Sequence, residues 1–120
     1  MITYDLDKEN AVLHVHPSGP LGKEDFSELA KTVDPFIEEK GKLTGLLIES
    51  ESFPGWESLA ALIQHFRFVR DHHASIGKVA LVTDSLIGDV AEKIASHFVS
   101  AEVKHFPAGD LETARKWVTA

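Results

Sequence analysis

Glu49 and Asp84 stand where two apolar runs stop, at Leu43-Thr44-Gly45-Leu46-Leu47-Ile48-Glu49 and Lys78-Val79-Ala80-Leu81-Val82-Thr83-Asp84. Paired acids at one edge are a residue set for general acid/base work. A carboxylate at a strand end more often caps the loop or helix that follows. Ser50 and Ser52 come next after the first run, but no histidine stands near them in sequence to act as base. The chain has no Gly-x-Ser-x-Gly elbow, no P-loop and no Gly-x-Gly-x-x-Gly after a strand. Seven histidines raise metal binding as a second chemistry. His14 and His16 share a strand face, yet the third ligand would be His65, His97 or His105, which sit on other elements without motif spacing. The plainer role for such histidines is the polar face of a strand. His72 and His73 end a helix, where the dipole favours imidazolium. Nothing here assembles nucleophile, base and oxyanion donors. The expectation is therefore a protein that is not an enzyme, with no catalytic residues, no metal ligands and no cofactor.

The loop Ser50-Glu51-Ser52-Phe53-Pro54-Gly55-Trp56 offers binding instead. Phe53 and Trp56 flank a Pro-Gly turn just past the first run. In the helix that follows, Leu59, Leu62, Ile63, Phe66 and Val69 form one apolar face, and Phe68 falls off it beside Ala61 and His65. Leu86-Ile87-Gly88, after the second run, puts two large apolar residues at a helix N-terminus with free backbone N–H groups. Phe53, Trp56, Phe68, Leu86 and Ile87 thus make a candidate apolar ligand site, with Ser52, Ser58, Asp84 and Glu49 as its polar points. A packed loop with Trp56 folded into the core is the competing reading, and a dimer contact is another use of the same surface.

The elements that would position these residues follow from periodicity. Ile2–Leu6 and Ala11–His16 alternate around the turn Asp7-Lys8-Glu9-Asn10, a β-hairpin signal. Lys23 to Lys40 has apolar residues at Phe26, Leu29, Ala30, Val33, Phe36 and Ile37, one helix face. Gly41 sits where a helix C-terminal glycine belongs, and Pro35 predicts a kink or break near Asp34. The two runs ending in Glu49 and Asp84 predict parallel strands at 43–49 and 78–84, joined by a crossover helix from Trp56 to His73. Leu86 to Ser100 predicts a further helix. Glu102–Phe106 predicts a last strand, and Leu111–Val118 a closing helix with Asp110 as N-cap and Ala114, Trp117 and Val118 buried. The order is ββαβαβαβα, an α/β fold of N-terminal hairpin plus parallel strands, which should progress across the sheet in chain order. Leu46, Leu47, Ile48, Ala80, Leu81 and Val82 should be almost fully buried. Sites in such sheets lie outside the carboxyl ends of the strands.

The chain's 120 residues suit one domain spanning 1–120. Twelve Lys and Arg against nineteen Asp and Glu, net −7, argue against nucleic acid as partner and weaken attraction to anionic lipid. No apolar run approaches the roughly 20 residues of a spanning helix, and Met1-Ile2-Thr3-Tyr4-Asp5 lacks the features of a signal peptide. With no cysteine there is no disulfide framework. A cytoplasmic location is expected.

The element order, together with Lys78–Asp84, Val103-Lys104-His105-Phe106-Pro107 and Glu112-Thr113-Ala114-Arg115-Lys116-Trp117-Val118, resembles the SpoIIAA-like family of small bacterial proteins, related in fold to STAS domains. In antagonists of anti-sigma factors, a serine in an Asp-Ser-Ser-Gly-type sequence after the central strand is phosphorylated. The matching region here reads Ser52-Phe53-Pro54-Gly55-Trp56-Glu57-Ser58, with no serine directly before the glycine. The resemblance therefore leaves Ser52 and Ser58 as candidate phosphorylation sites, and the departure from the pattern does not license a partner-switching role. SpoIIAA-like members are also similar to lipid-carrier folds, which implies an apolar cavity and peripheral membrane association. The expected function is a non-catalytic domain binding a small apolar or lipid-like molecule. The alternative is a protein-interaction module of the anti-sigma factor antagonist type.

Overall fold

Ile2–Asp7 (β1) and Val12–Pro17 (β2) form the expected hairpin, antiparallel with Leu6 opposite Leu13. The Asp7 carboxylate closes its turn by accepting from the Glu9 and Asn10 backbone N–H groups and the Asn10 side-chain amide. Ala11 completes the turn at φ 56°. The structure, a computed structural model, describes residues 2–50, 59–84 and 102–120; for 59–63, 66 and 73 it describes the backbone alone.

Lys23–Lys40 (α1) is one helix whose buried residues are Phe26, Leu29, Val33 and Phe36. Its start is fixed by Asp25, whose carboxylate accepts the Gly22 N–H at 2.8 Å while its own N–H donates to the Gly22 carbonyl. Gly41 ends it at φ +92°, its N–H reaching the Ile37 carbonyl at 2.7 Å. The break expected near Asp34 does not occur. Pro35 lies on the solvent side, between the buried anchors Val33 and Phe36, so packing carries the helix past the missing N–H.

Leu43–Glu49 (β3), Ile76–Val82 (β4) and Glu102–Phe106 (β5) complete a sheet of order β1-β2-β3-β4-β5, parallel from β2 onward. The strands do advance in chain order. The second core strand runs two residues earlier than expected from 78–84. Leu43 pairs with Ile76, and Gly77 brings the backbones so close that an added Cβ would lie 2.9 Å from the Thr44 carbonyl oxygen. Asp84 is consequently past the strand rather than in it. Leu59–His72 (α2) and a short 3-10 turn, His73–Ser75, precede β4. Leu111–Thr119 (α3) closes the chain after a second 3-10 turn, Ala108–Asp110. Asp110 occupies the N-cap position but makes no side-chain capping bond, because that 3-10 turn already leads into the helix. Three α-helices lie among the described residues; the one expected at 86–100 lies outside them, as do 56–58 of the crossover.

The sheet separates two cores. Leu13 and Val15 meet Leu29, Val33 and Phe36 of α1 on one face, with Leu46, Phe68 and Val79 packed against them. Val12, Leu47, Ala80, Val82 and Phe106 meet Ala114 and Val118 of α3 on the other. Each fully buried Leu or Val side chain adds about 1.5–3 kcal/mol relative to an exposed one. The alternation corrects the expected uniform burial. Leu47, Ala80 and Val82 face α3 and are buried, while Leu46, Ile48 and Leu81 point the other way and are half-buried. Trp117, expected inside, is half-buried on the flank of α3.

Candidate functional site

The carboxyl ends of the parallel strands are knit together by the groups the sequence singled out. Glu49 pairs with Val82, and the Ser50 N–H donates to the Val82 carbonyl at 2.9 Å. The Thr83 N–H donates to the Phe106 carbonyl at 3.0 Å, and His105 Nε2 lies 2.7 Å from the Thr83 carbonyl, to which it donates. The segments following β3 and β4 therefore leave the sheet from neighbouring points on one edge.

Both strand-end acids are engaged there. Asp84 Oδ1 accepts the Ala108 N–H at 2.9 Å, fixing the turn before α3. Glu49 Oε1 lies 2.9 Å from His14 Nε2, and His14 Nδ1 lies 3.0 Å from an Arg115 guanidinium nitrogen. A guanidinium only donates, so Nδ1 is an acceptor and the ring proton sits on Nε2, directed at Glu49. Strand parity explains the first half of this chain: His14 on β2 and Glu49 on β3 share the face toward α3. Arg115 reaches them because α3 crosses that face with Ala114 and Val118 inward. Arg115 also faces Asp7. The Asn10 side-chain amide foremost, then the Asn10 and Glu9 N–H groups and Arg115, hold the Asp7 carboxyl below its ordinary value of 3.8.

Among the described residues the histidines do not converge. His14 is held by Glu49 and Arg115, His105 by Thr83, and His65 stacks on Phe26 with ring centroids 4.7 Å apart. Among the described residues no group of three or more His, Asp and Glu could hold a metal ion. Phe68, read from sequence as left over, lies in the seam between α1 and α2. It meets Phe26 at 6.1 Å and stacks on His72 at 4.1 Å. The seam also contains Asp34, whose Oδ1 lies 2.5 Å from His72 Nε2. Neither Arg115 nor Asp34 was legible as a partner, because each contact joins elements far apart in sequence. Ser52, Phe53, Trp56, Ser58, Leu86 and Ile87 lie outside the described residues.

A five-stranded, largely parallel sheet with α1 and α2 on one face and α3 on the other defines a small α/β domain whose candidate site is the carboxyl edge. The SpoIIAA-like family model matches residues 12–119, and the chain belongs to that family. A solved structure with the same architecture is an uncharacterised protein of the DUF3478 family, with a SpoIIAA-like fold, from Shewanella loihica PV-4. It is 20% identical, superposes with a TM-score of 0.72, and is matched over 98% of this chain and 92% of that one. No curated protein matches the sequence. No helix among the described residues is long and apolar enough to cross a membrane.

Proposed function

We propose that this SpoIIAA-like domain is a non-catalytic binding module of the cytoplasm that takes a small apolar or lipid-like molecule at the carboxyl edge of its sheet. The observation that carries the reading is the Ser50–Val82 bond beside the Glu49–Val82 pair, which starts the segments bearing Phe53 and Trp56, and Leu86 and Ile87, side by side. Apolar residues in the loops that leave the carboxyl edge of a parallel sheet are a common ligand mouth. The structural duties of Glu49 and Asp84 support the non-catalytic part. A carboxylate committed to a histidine or to a backbone N–H serves the fold first.

The test is a titration of a long-chain fatty acid into the protein, read by Trp56 emission in a Trp117→Phe background. Saturable change in emission is expected, and weakened binding in Phe53→Ala with unchanged circular dichroism. Emission unaltered by the fatty acid contradicts the reading. The second function is a protein-interaction module of the anti-sigma factor antagonist type. Ser52 and Ser58, which follow β3, favour it, and a phosphate on either serine in protein from the native host would support it. Peripheral membrane contact would accompany the first function and a protein partner the second.

A further inference from the structure

The His14 ring is held between a carboxylate and a guanidinium, and its two nitrogens have opposite duties. Nε2, 2.9 Å from Glu49 Oε1, carries the ring proton, while Nδ1, 3.0 Å from an Arg115 guanidinium nitrogen, offers a lone pair. A second proton leaves the Glu49 contact in place and makes it an ion pair. The same proton ends the Arg115 contact, because an N–H on Nδ1 would meet a group that only donates. One protonation therefore keeps one half of the chain and breaks the other. A second acceptor for Arg115 is already at hand. The Asn10 amide foremost, and Arg115 itself at longer range, hold the Asp7 carboxyl below its ordinary 3.8. Asp7 is thus ionised throughout the range in which histidines take up protons.

We propose that Arg115 is a two-position switch set by His14: it bonds Nδ1 when the ring is neutral and turns to the Asp7 carboxylate when the ring is charged. The two positions hold different parts of the hairpin. His14 lies within β2, opposite Asp5 on β1 and Leu47 on β3. Asp7 ends β1, and its carboxylate closes the hairpin turn. Acid therefore moves the grip of α3 from the strand to the turn, while charged His14 tightens on Glu49 at the end of β3. The helix itself stays seated, because Ala114 and Val118 are fully buried against Leu47, Ala80 and Val82.

Among the described residues the charged and titratable groups around His14 come from four elements. Glu49 stands on β3 and Arg115 on α3. Asp5, directly opposite on β1, and His16, two residues along β2, share the His14 face. Glu112 and Lys116 lie within a turn of Arg115, and Lys8 and Glu9 follow Asp7 in the hairpin turn. Asp5, His16, Glu112, Lys116, Lys8 and Glu9 are all exposed to solvent, as is Arg115, which leaves the guanidinium room to change partners.

Double-mutant cycles in urea unfolding at pH 8 and pH 5 test the switch, with His14→Ala, Arg115→Met and Asp7→Asn. At pH 8 the His14–Arg115 coupling should favour folding by about two- to fivefold, the size of an exposed pair, and at pH 5 it should vanish. The Asp7–Arg115 coupling should grow between pH 8 and pH 5, and in a His14→Ala background it should be the same at both. Nitrogen NMR of the wild-type protein should find His14 Nδ1 bare at pH 8 and protonated at pH 5. A His14–Arg115 coupling equal at the two pH values overturns the switch. So does an Asp7–Arg115 coupling that pH leaves unchanged in the wild-type background, or an Nδ1 protonated at pH 8 or bare at pH 5.

Discussion

Gly45 is the point where α3 comes nearest the sheet, and replacing it with alanine tests how tightly that helix is seated. A Cβ at Gly45 would lie 2.8 Å from Val118 Cβ and 3.1 Å from the Val118 carbonyl oxygen. Carbon atoms in favourable contact stand about 3.5–4.0 Å apart, so α3 must retreat by at least about 0.7 Å. Neither neighbour is a flexible tip: one is fixed to the helix backbone and the other belongs to it. Retreat loosens Ala114 and Val118, both fully buried against Leu47, Ala80 and Val82. Overpacking of this kind costs about 1–3 kcal/mol. Against it stands a gain of about 0.4–1 kcal/mol from the stiffer unfolded chain. Gly45→Ala should therefore lose about 1–2 kcal/mol in urea unfolding, with the urea dependence unchanged. Val118→Ala should not rescue it, because the clashing Cβ remains, whereas Val118→Gly should show favourable coupling in a double-mutant cycle. A Gly45→Ala protein as stable as wild type, or one rescued by Val118→Ala, would refute the packing argument.

Three further outcomes follow from particular contacts. Asp7 has a lowered folded pKa, so its contribution is present above pH 3.8 and is lost as pH falls through the folded value; Asp7→Asn should blunt acid destabilisation below pH 4 in a thermal melt. Asp34→Ala leaves His72 with one acceptor instead of two and should cost about 1 kcal/mol, a charge-assisted bond discounted because Asp34 is exposed; an unchanged unfolding midpoint would show that the pair is inert. Asp84→Ala should free the Ala108 N–H and raise amide exchange at the start of α3 while leaving β1 and β2 unaffected.

The fold was legible because its signals are local. The alternation around Asp7–Asn10, the helical face from Phe26 to Ile37 and the apolar runs at Leu43 and Val79 each name their element without reference to the rest. Strand order followed from the connectivity of parallel strands. Where the reading slipped, long-range packing had decided. Pro35 did not break α1, because Val33 and Phe36 anchor it on both sides. β4 began at Ile76, because register with Leu43 and the bare backbone of Gly77 extend the pairing backward. The site was less legible. Glu49 and Asp84 were found from position alone, but their partners Arg115, His14 and Ala108 come from elements that only the folded sheet brings near. Phe68 looked spare because a single helix wheel cannot show that a second helix will cover it.

The central claim is that an apolar molecule occupies the carboxyl edge. Native mass spectrometry of the freshly purified full chain tests it most directly. The account predicts an added mass of acyl-chain size that organic solvent removes and that Trp56→Ala loses while keeping its circular dichroism. The bare chain mass, or a phosphate increment on Ser52 or Ser58 with no bound lipid, would contradict it.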